Sequence, residues 1–425
     1  MKQLKYLKMI SYNQSIKILK KSIIKIKNEI IKTDKCLNRV AAENIKSKVD
    51  NPSGNNAAFD GYAVNSNDTK RLNNKRIRLF KILGSVAAGD NLNYKKIKTF
   101  QTVEIMTGAL IPRGFDTIIP IEQIIYHPHK KKPKYIVVNK EIKKNQHVRF
   151  KGSDYKKKDL LIKKGTILQS NHILALKTLG IKNIKVKKIP NILFFSTGNE
   201  ITNLEDIPSW KVRNSNSHYI KSKNKNFLFN FSNGGILRDK DELVFEKQIK
   251  KMLNSKIDII ITSGAVSAGK FDYVPRVIKK FNLSSHFKSV AIRPGKPILF
   301  AKIKAKHKAI FGLPGNPISS AACFRFFVYP YLQSLLGIKE EKPIKAILKN
   351  EFIKKENFTR FVKSKCNTTN DGKIEVQILK GQESFRVKSF VKSNIWTMLP
   401  SGKSKFKKNQ IVDCFFPNHP NNILI

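Results

Sequence analysis

Apolar residues at Ile16, Leu19, Ile23, Ile26 and Ile30 recur at intervals of three and four, which predicts an amphipathic helix over 13–31. A shorter helical pattern covers Leu37 to Ile45. From about 48 to 145 the rhythm changes. Gly and Pro separate short β-rich runs, among them GYAV, IRLFKILGSV, TVEIMTG, DTIIPIEQII and KYIVVN, and this spacing predicts a small all-β region. HPHKKKPK at 127–134 reads as a loop; its two histidines are of a type that ligates metals, but a solvent-exposed turn is the better account of them. From about 190 to 335 strands and helices alternate. Strand candidates are 191–196, 257–263, 289–293, 297–303 and 308–313; helical patterns lie near 214–224, 241–254, 272–281 and 317–336. Such alternation predicts a mainly parallel sheet with helices on both faces and a ligand site at the carboxyl ends of its strands. After about 340 short β runs return, predicting a small C-terminal β region.

Composition changes this picture little. The 425 residues call for several domains, and 40% hydrophobic residues supply their cores. The net charge of +53 points on its face to a polyanionic partner. Yet only 13 of the 83 basic residues are Arg, the residue expected where phosphates and bases are gripped in forks, and the chain is also crowded with Ile and Asn. Lys, Ile and Asn are what A/T-rich codons write, so codon bias explains much of the charge and nucleic acid is not the expected partner. Cys36, Cys323, Cys366 and Cys414 form no C-x-x-C pair, which argues against a zinc site and for reduced thiols in a cytosolic protein. The start, MKQLKYLKMISYNQ, lacks the apolar run of a secretory signal, and no stretch approaches the ~20 apolar residues of a membrane helix.

Four loops after strands carry the candidate chemistry. STGNE (196–200) joins small hydroxyl and glycine residues to the carboxylate Glu200; TSGAVSAGKFD (262–272) permits close backbone approach and ends in Asp272. Asp272 opens a helical pattern, where it suits an N-cap as well as a site. RPGKP (293–297) presents Arg293 and Lys296 on a stiff loop, and GLPGNP (312–317) sets a rigid turn before a helix, a place that suits an oxyanion. Each alone reads equally well as an ordinary turn; together, at the strand ends of one sheet, they mark a site. Two further clusters lie outside this region: AAFDGYAV (57–64) with EIMTG (104–108), and HVRFKGSD (147–154).

In order along the chain, AAFDGYAV, EIMTGALIPRGFDTII, HVRFKGSD, FFSTGNE, RNSN, ITSGAVSAGKFDY, RPGKP and GLPGNP resemble the molybdopterin molybdenumtransferase family, which includes the C-terminal part of gephyrin. The resemblance runs from about residue 10 to the C-terminus. It implies a multidomain α/β plus β fold. Residues 8–48 with 146–186 would form an N-terminal helical linker domain and 49–145 a β-rich domain. Residues 187–337 would form a central doubly wound molybdopterin-binding α/β domain and 338–425 a C-terminal β-barrel-like domain. It further implies a cytoplasmic homodimer whose cleft lies between the α/β domain of one subunit and the β-rich domain of the other, and contact with a molybdopterin adenylyltransferase. The implied reaction takes adenylylated molybdopterin and molybdate to molybdenum cofactor, AMP and water, with Mg²⁺ assisting.

Carried over motif by motif, the resemblance assigns catalysis to Asp60, Thr107, Glu200, Asp239, Asp272 and Lys296. Binding of the pterin nucleotide falls to Ser196, Thr197, Gly198, Asn216, Ser263, Gly264, Ser267, Gly269, Arg293, Gly295, Pro314, Gly315, Asn316 and Pro317. Arg149 and Asp154 would face the molybdate side of the cleft, and Glu200 and Asp272 would hold Mg²⁺. The chain departs from the family pattern at several of these places. Asn199 and Asn214 stand for acidic residues, Lys240 replaces a carboxylate beside Asp239, Ala265 replaces a glycine, and Arg293 replaces a lysine. The loss of acidic groups keeps two alternatives open: a pterin-binding scaffold with weakened turnover, and a related adenylyltransferase-like enzyme on the same α/β domain.

Overall fold

The first helix, α1 (Tyr12–Lys21), opens on a capping box in which Ser11 Oγ accepts the Gln14 N–H and Gln14 Oε1 accepts the Ser11 N–H. Described in a computed structural model are residues 9–90, 96–224, 228–266, 272–304 and 306–417. Helix α1 stops well short of the helix expected over 13–31. Beyond it Tyr331 ties down the chain, its hydroxyl donating to Ser22 O at 3.2 Å and accepting the Ile24 N–H at 3.3 Å. Asn28–Lys32 then becomes strand β1, pairing antiparallel with Asn183–Lys187. The isoleucines that suggested a helix are β-branched and fit a pleated surface, and the pairing decides between the two. The expected helix at 37–45 is likewise absent: Val40 and Ala41 bridge to Ile167 and Val186, and Ile45–Lys46 pairs with 160–162. The N-terminal lobe is therefore less helical than the resemblance implied.

The β-rich region forms a six-stranded sheet. Its strands are β2 (Gly61–Val64), β3 (Arg78–Val86), β4 (Gln101–Ile105), β5 (Thr117–Pro120), β6 (Ile125–His127) and β7 (Tyr135–Val138), in the order β5-β2-β4-β3-β7-β6. Gly61 sits in the middle of this packing because a Cβ there would fall 2.0 Å from the Ile119 carbonyl oxygen. The chain then returns to the N-terminal lobe through α2 (Ser170–Thr178) and β8 (Asn183–Lys187), the partner of β1.

The central domain runs β9 (Asn191–Thr197), α3 (Ser215–Lys223), β10 (Asn230–Leu237), α4 (Glu242–Leu253), β11 (Ile259–Ser263), α5 (Val274–Lys279) and β12 (Leu283–Lys288). It continues through β13 (Ile292–Arg293), β14 (Leu299–Ile303), β15 (Lys308–Leu313), α6 (Pro317–Cys323) and α7 (Tyr329–Leu336). The sheet order is β10-β9-β11-β15-β14-β12; the first four strands are parallel and the last two are added antiparallel. Strands β11 and β15 are buried along their whole length, as expected of strands covered on both faces. Helices α4 and α5 pack one face through Phe245, Ile249 and Val277, while α3 and α6 pack the other through Ile220 and Ile318. Two strands escaped the sequence reading. β10 is an edge strand rich in Asn and Gly with a mostly exposed pattern, and β12, at the other edge, has only two apolar residues, Leu283 and Phe287, among its six. The expected strand at 289–293 shrinks to β13, which leaves this sheet altogether and pairs with the C-terminal domain.

That domain comprises β16 (Ile344–Leu348), β17 (Thr359–Thr368), β18 (Ile374–Ile378), α8 (Val387–Val391), β19 (Ile395–Leu399) and β20 (Ile411–Phe415). The order β17-β18-β16-β20-β19 closes on itself through β17–β19, giving a five-stranded barrel with β13 appended to β17. The barrel and the α/β domain share a core, in which Phe326 stacks on Phe361 at 3.9 Å and 9°. Beside it the buried Arg325 guanidinium binds both carboxylate oxygens of Glu341 at 2.7 and 2.6 Å and the Phe416 carbonyl at 2.6 Å. Lys363, also buried, spends its ammonium on the carbonyls of Gly381, Glu383 and Arg386. It thereby fixes the loop whose Ser384 carbonyl receives the Ile318 N–H at the start of α6.

Candidate active site

The loops leaving β9, β10, β11 and β15, with the segment before α3, enclose a cleft of about 610 Å³. Hydrogen bonds from small side chains knit its floor. Thr197 Oγ1 donates to the Ser263 carbonyl at 3.0 Å, and the Gly264 N–H donates to Leu313 O at 2.8 Å. Asn216 Nδ2 donates to both Ser263 Oγ and the Gly315 carbonyl at 2.7 Å, and Ser263 Oγ reaches the Pro314 carbonyl at 3.3 Å. This close approach explains Gly264: with φ at +103°, a Cβ would fall 2.4 Å from Thr197 Oγ1 and 2.6 Å from Thr197 O. The next residue, Ala265, is also left-handed (φ +53°), although it has a Cβ.

Three carboxylates line this cleft: Glu200, Asp239 and Asp272. The Glu200 carboxylate folds back over Gly198, whose missing Cβ would lie 2.4 Å from its Oε2. Arg238 gathers the carbonyls of Gly198, Asn199 and Ile201 at 3.2, 3.2 and 2.8 Å, and Lys211 Nζ adds a bond to Asn199 O at 2.6 Å. Asn199 Oδ1 in turn accepts the Asp239 N–H at 3.2 Å. The two loops carrying Glu200 and Asp239 are thus latched together from both sides. Helix α5 has Tyr273 at its N-cap position, so Asp272 stands one residue ahead of the cap and faces the cleft. Asn214 is buried and joins Ser196 Oγ (2.5 Å) to Asn203 Oδ1 (2.9 Å). No group of three or more His, Cys, Asp or Glu side chains among the described residues is gathered closely enough to hold a metal ion by itself.

The expected binding residues Ser196, Thr197, Gly198, Asn216, Ser263, Gly264, Pro314, Gly315, Asn316 and Pro317 all line the cleft; Ser267 and Gly269 lie outside the described residues. The RPGKP loop is divided. Pro297 lines the cleft, while Gly295 packs against Cys323, whose Sγ would be 2.4 Å from a Cβ. Arg293 and Lys296 are exposed and stand outside the cleft lining. Arg293 lies in register with Arg360 on β17, a residue the sequence reading passed over because it sits inside the ordinary β run FTRFVKS. Burial and the neighbouring Arg293 charge both lower the pKa of Arg360, and its guanidinium lies 5.4 Å above the Phe352 ring. Among the described residues none of Arg293, Lys296 and Arg360 is in an ion pair, which leaves Arg293 and Arg360 as neighbouring positive charges at the domain junction.

Asp60, Thr107, Arg149 and Asp154 are not brought to this cleft within the chain. Asp60 Oδ1 accepts both the backbone N–H (2.6 Å) and the hydroxyl (2.7 Å) of Thr107, and these bonds hold its pKa below the usual carboxylate value. Asp154 accepts from Asn51 Nδ2 at 2.8 Å, so it is Asn51 that engages its carboxylate. Arg149 is exposed on a two-residue strand opposite Asn56.

A doubly wound domain with small-residue loops and carboxylates at its strand ends, joined to a barrel and a β-rich lobe, defines a multidomain α/β protein with a ligand cleft at the carboxyl ends of its central sheet. Residues 194–334 match the family described as a probable molybdopterin binding domain. Residues 10–180 match the MoeA N-terminal region (domains I and II), and 345–415 match the MoeA C-terminal region (domain IV). The chain is 32% identical over 407 residues to a molybdopterin molybdenumtransferase of Staphylococcus epidermidis, covering 95% of this chain and 94% of the relative. It is 33% identical to one from Staphylococcus aureus, covering 89% of each. A molybdopterin biosynthesis moeA protein from Pyrococcus horikoshii superposes with a TM-score of 0.82 at 27% identity, covering 97% of this chain and all of that one. The chain belongs to the molybdopterin molybdenumtransferase family.

Proposed function

We propose that the chain inserts molybdate into adenylylated molybdopterin, releasing AMP, and that the cleft at the ends of β9, β11 and β15 binds the pterin nucleotide. The observation that carries this is the convergence of Glu200, Asp239 and Asp272 on one cleft whose floor is built from small hydroxyl, amide and glycine residues. Backbone N–H groups and hydroxyls suit phosphate oxygens, and Pro317 places the α6 N-terminus at the same wall. Carboxylates beside a phosphoanhydride suit a Mg²⁺ ion, which takes oxygen ligands and keeps phosphate oxygens and waters in its shell. Glu200 and Asp272 would each offer it an oxygen ligand, with substrate phosphates and waters supplying the rest, and when bound it would offset charge on the leaving phosphate. The residues' own part is to bind the two phosphates, keep Glu200 and Asp239 at a fixed separation through Arg238 and Asn199, and exclude alternative poses. The place of Asn199 supports turnover, since its Oδ1 accepts the Asp239 N–H as a carboxylate oxygen there would.

For molybdate, a tetrahedral dianion, the best-suited groups are Arg293 and Arg360, side by side at the junction with the barrel, and Lys296, on the loop that reaches the cleft at Pro297. Asp60, Thr107 and Arg149 would complete the site from a second subunit of a homodimer. Exposed apolar side chains on both faces favour this: Trp210 and Leu204 on the loop between the parallel-paired segments 201–202 and 212–213 at the cleft rim, Phe59 beside Asp60, and Leu110 near Thr107. No helix among the described residues is long and apolar enough to cross a membrane, and all four cysteines are free; a cytoplasmic enzyme that receives its nucleotide from an adenylyltransferase is consistent with both.

The test is AMP release from adenylylated molybdopterin in the presence of Mg²⁺, with and without molybdate. Molybdate-dependent release that is lost in Glu200→Ala and Asp272→Ala supports the reading. Tight binding of the nucleotide without release would instead mark a scaffold.

A further inference from the structure

The loops entering β9, β11 and β15 leave a second hollow of about 370 Å³ at the opposite end of the central sheet, roughly 20 Å from the cleft by strand length. Four separate segments build it: 25–27, 188–189, 255–258 and 306–308. Six of its 11 lining residues are lysines, namely Lys25, Lys27, Lys188, Lys256, Lys306 and Lys308. The whole chain has no more than 83 basic residues in 425, and the catalytic cleft has no lysine in its lining, so general lysine richness does not account for this concentration.

The hollow is built on a rigid floor. Lys308 is buried, and its ammonium donates to the carbonyls of Ser255 and Ile257, pinning the loop that enters β11. Asp258, the one carboxylate of the lining, accepts the Asn191 N–H at 2.9 Å, while Asn191 Nδ2 donates to Lys256 O at 2.9 Å. The remaining five lysines stand at the rim, and none of them is in an ion pair among the described residues. Five exposed lysines around one hollow give it a positive potential, and an anion held there would offset their mutual repulsion. Lysines act as point charges without the directional fork of arginine, so they suit an extended chain of phosphates that presents oxygens in several directions.

We propose that this hollow is a second, non-catalytic binding site for a short polyphosphate chain, either free or carried by a nucleotide. The site is independent of the cleft chemistry. It is tested by calorimetric titration of the full-length protein with tripolyphosphate and with ATP at fixed ionic strength, with Lys188→Ser/Lys256→Ser/Lys306→Ser as the site variant. A control variant, Lys130→Ser/Lys131→Ser/Lys132→Ser, removes the same charge from the exposed turn before β7. The expected result is saturable binding that weakens about tenfold or more in the site variant and less than about twofold in the control. Equal weakening of tripolyphosphate and ATP would place recognition in the phosphate chain alone, whereas stronger binding of ATP would identify the nucleotide as the source; both support the site. Equal losses in the two variants would show only the diffuse field of a highly charged protein and overturn the proposal, as would the absence of saturation.

Discussion

At the residue scale the account rests on how single side chains hold others in place. Asp60 is exposed, yet two bonds from Thr107 keep its carboxylate ionised below the usual range. A depressed carboxylate pKa contributes stability above its unfolded value, and that contribution is lost as pH falls through the lower folded value. Thr107→Val removes the hydroxyl but keeps the N–H, so the Asp60 titration should move part of the way back up; carbon-detected NMR of the carboxyl group reads this directly. Two small residues make a second test. Gly264→Ala places a methyl group against Thr197 in a left-handed backbone and should cost about 2–3 kcal/mol in urea unfolding. Ala265→Gly relieves a left-handed alanine and should stabilise by about 0.5–1 kcal/mol in the same measurement. The need for glycine at 264 was legible in the small-residue run 262–269. The latch formed by Arg238 was not, because its three acceptors are backbone carbonyls and no side-chain pattern announces them.

At the element scale, the strands best read from sequence were those buried on both faces, β9, β11 and β15, whose continuous apolar runs leave no alternative. The errors fall where local pattern and tertiary pairing compete. The isoleucines after Lys21 satisfy a helical period as readily as a strand, and only pairing with Asn183–Lys187 selects the strand. β10 hides in NFSNGGIL because an edge strand needs little apolar surface, and Gly234 is required where a Cβ would sit 2.3 Å from the Phe195 ring. β13 illustrates a third case: a two-residue strand carries Arg293 out of the central sheet and sets it beside Arg360, a pairing that sequence spacing could not indicate. The junction between α/β domain and barrel depends on the buried Arg325–Glu341 pair. Glu341→Gln leaves the guanidinium buried without its counter-charge and should cost about 3–5 kcal/mol, whereas Arg325→Met combined with Glu341→Leu should recover most of that loss. Urea denaturation followed by tryptophan fluorescence, with Trp396 in the shared core, measures both.

At the scale of the whole molecule, the ordered motifs indicated one family, but they placed residues in one site that a single chain does not bring together. Glu200, Asp239 and Asp272 meet in the α/β cleft, while Asp60 and Thr107 stay in the β-rich lobe and take no part in its lining. If two chains complete each other's site, the protein sediments at twice its 48.6 kDa mass, and defects in the two halves are complementary. The most direct test is molybdate-dependent AMP release by Asp60→Ala and Glu200→Ala subunits, each alone and after co-refolding in equal amounts. The account predicts near-complete loss in each alone and recovery of about a quarter of wild-type activity in the mixture, because half of the dimers then contain one intact site. No recovery in a mixture shown to contain heterodimers would contradict a site shared between chains.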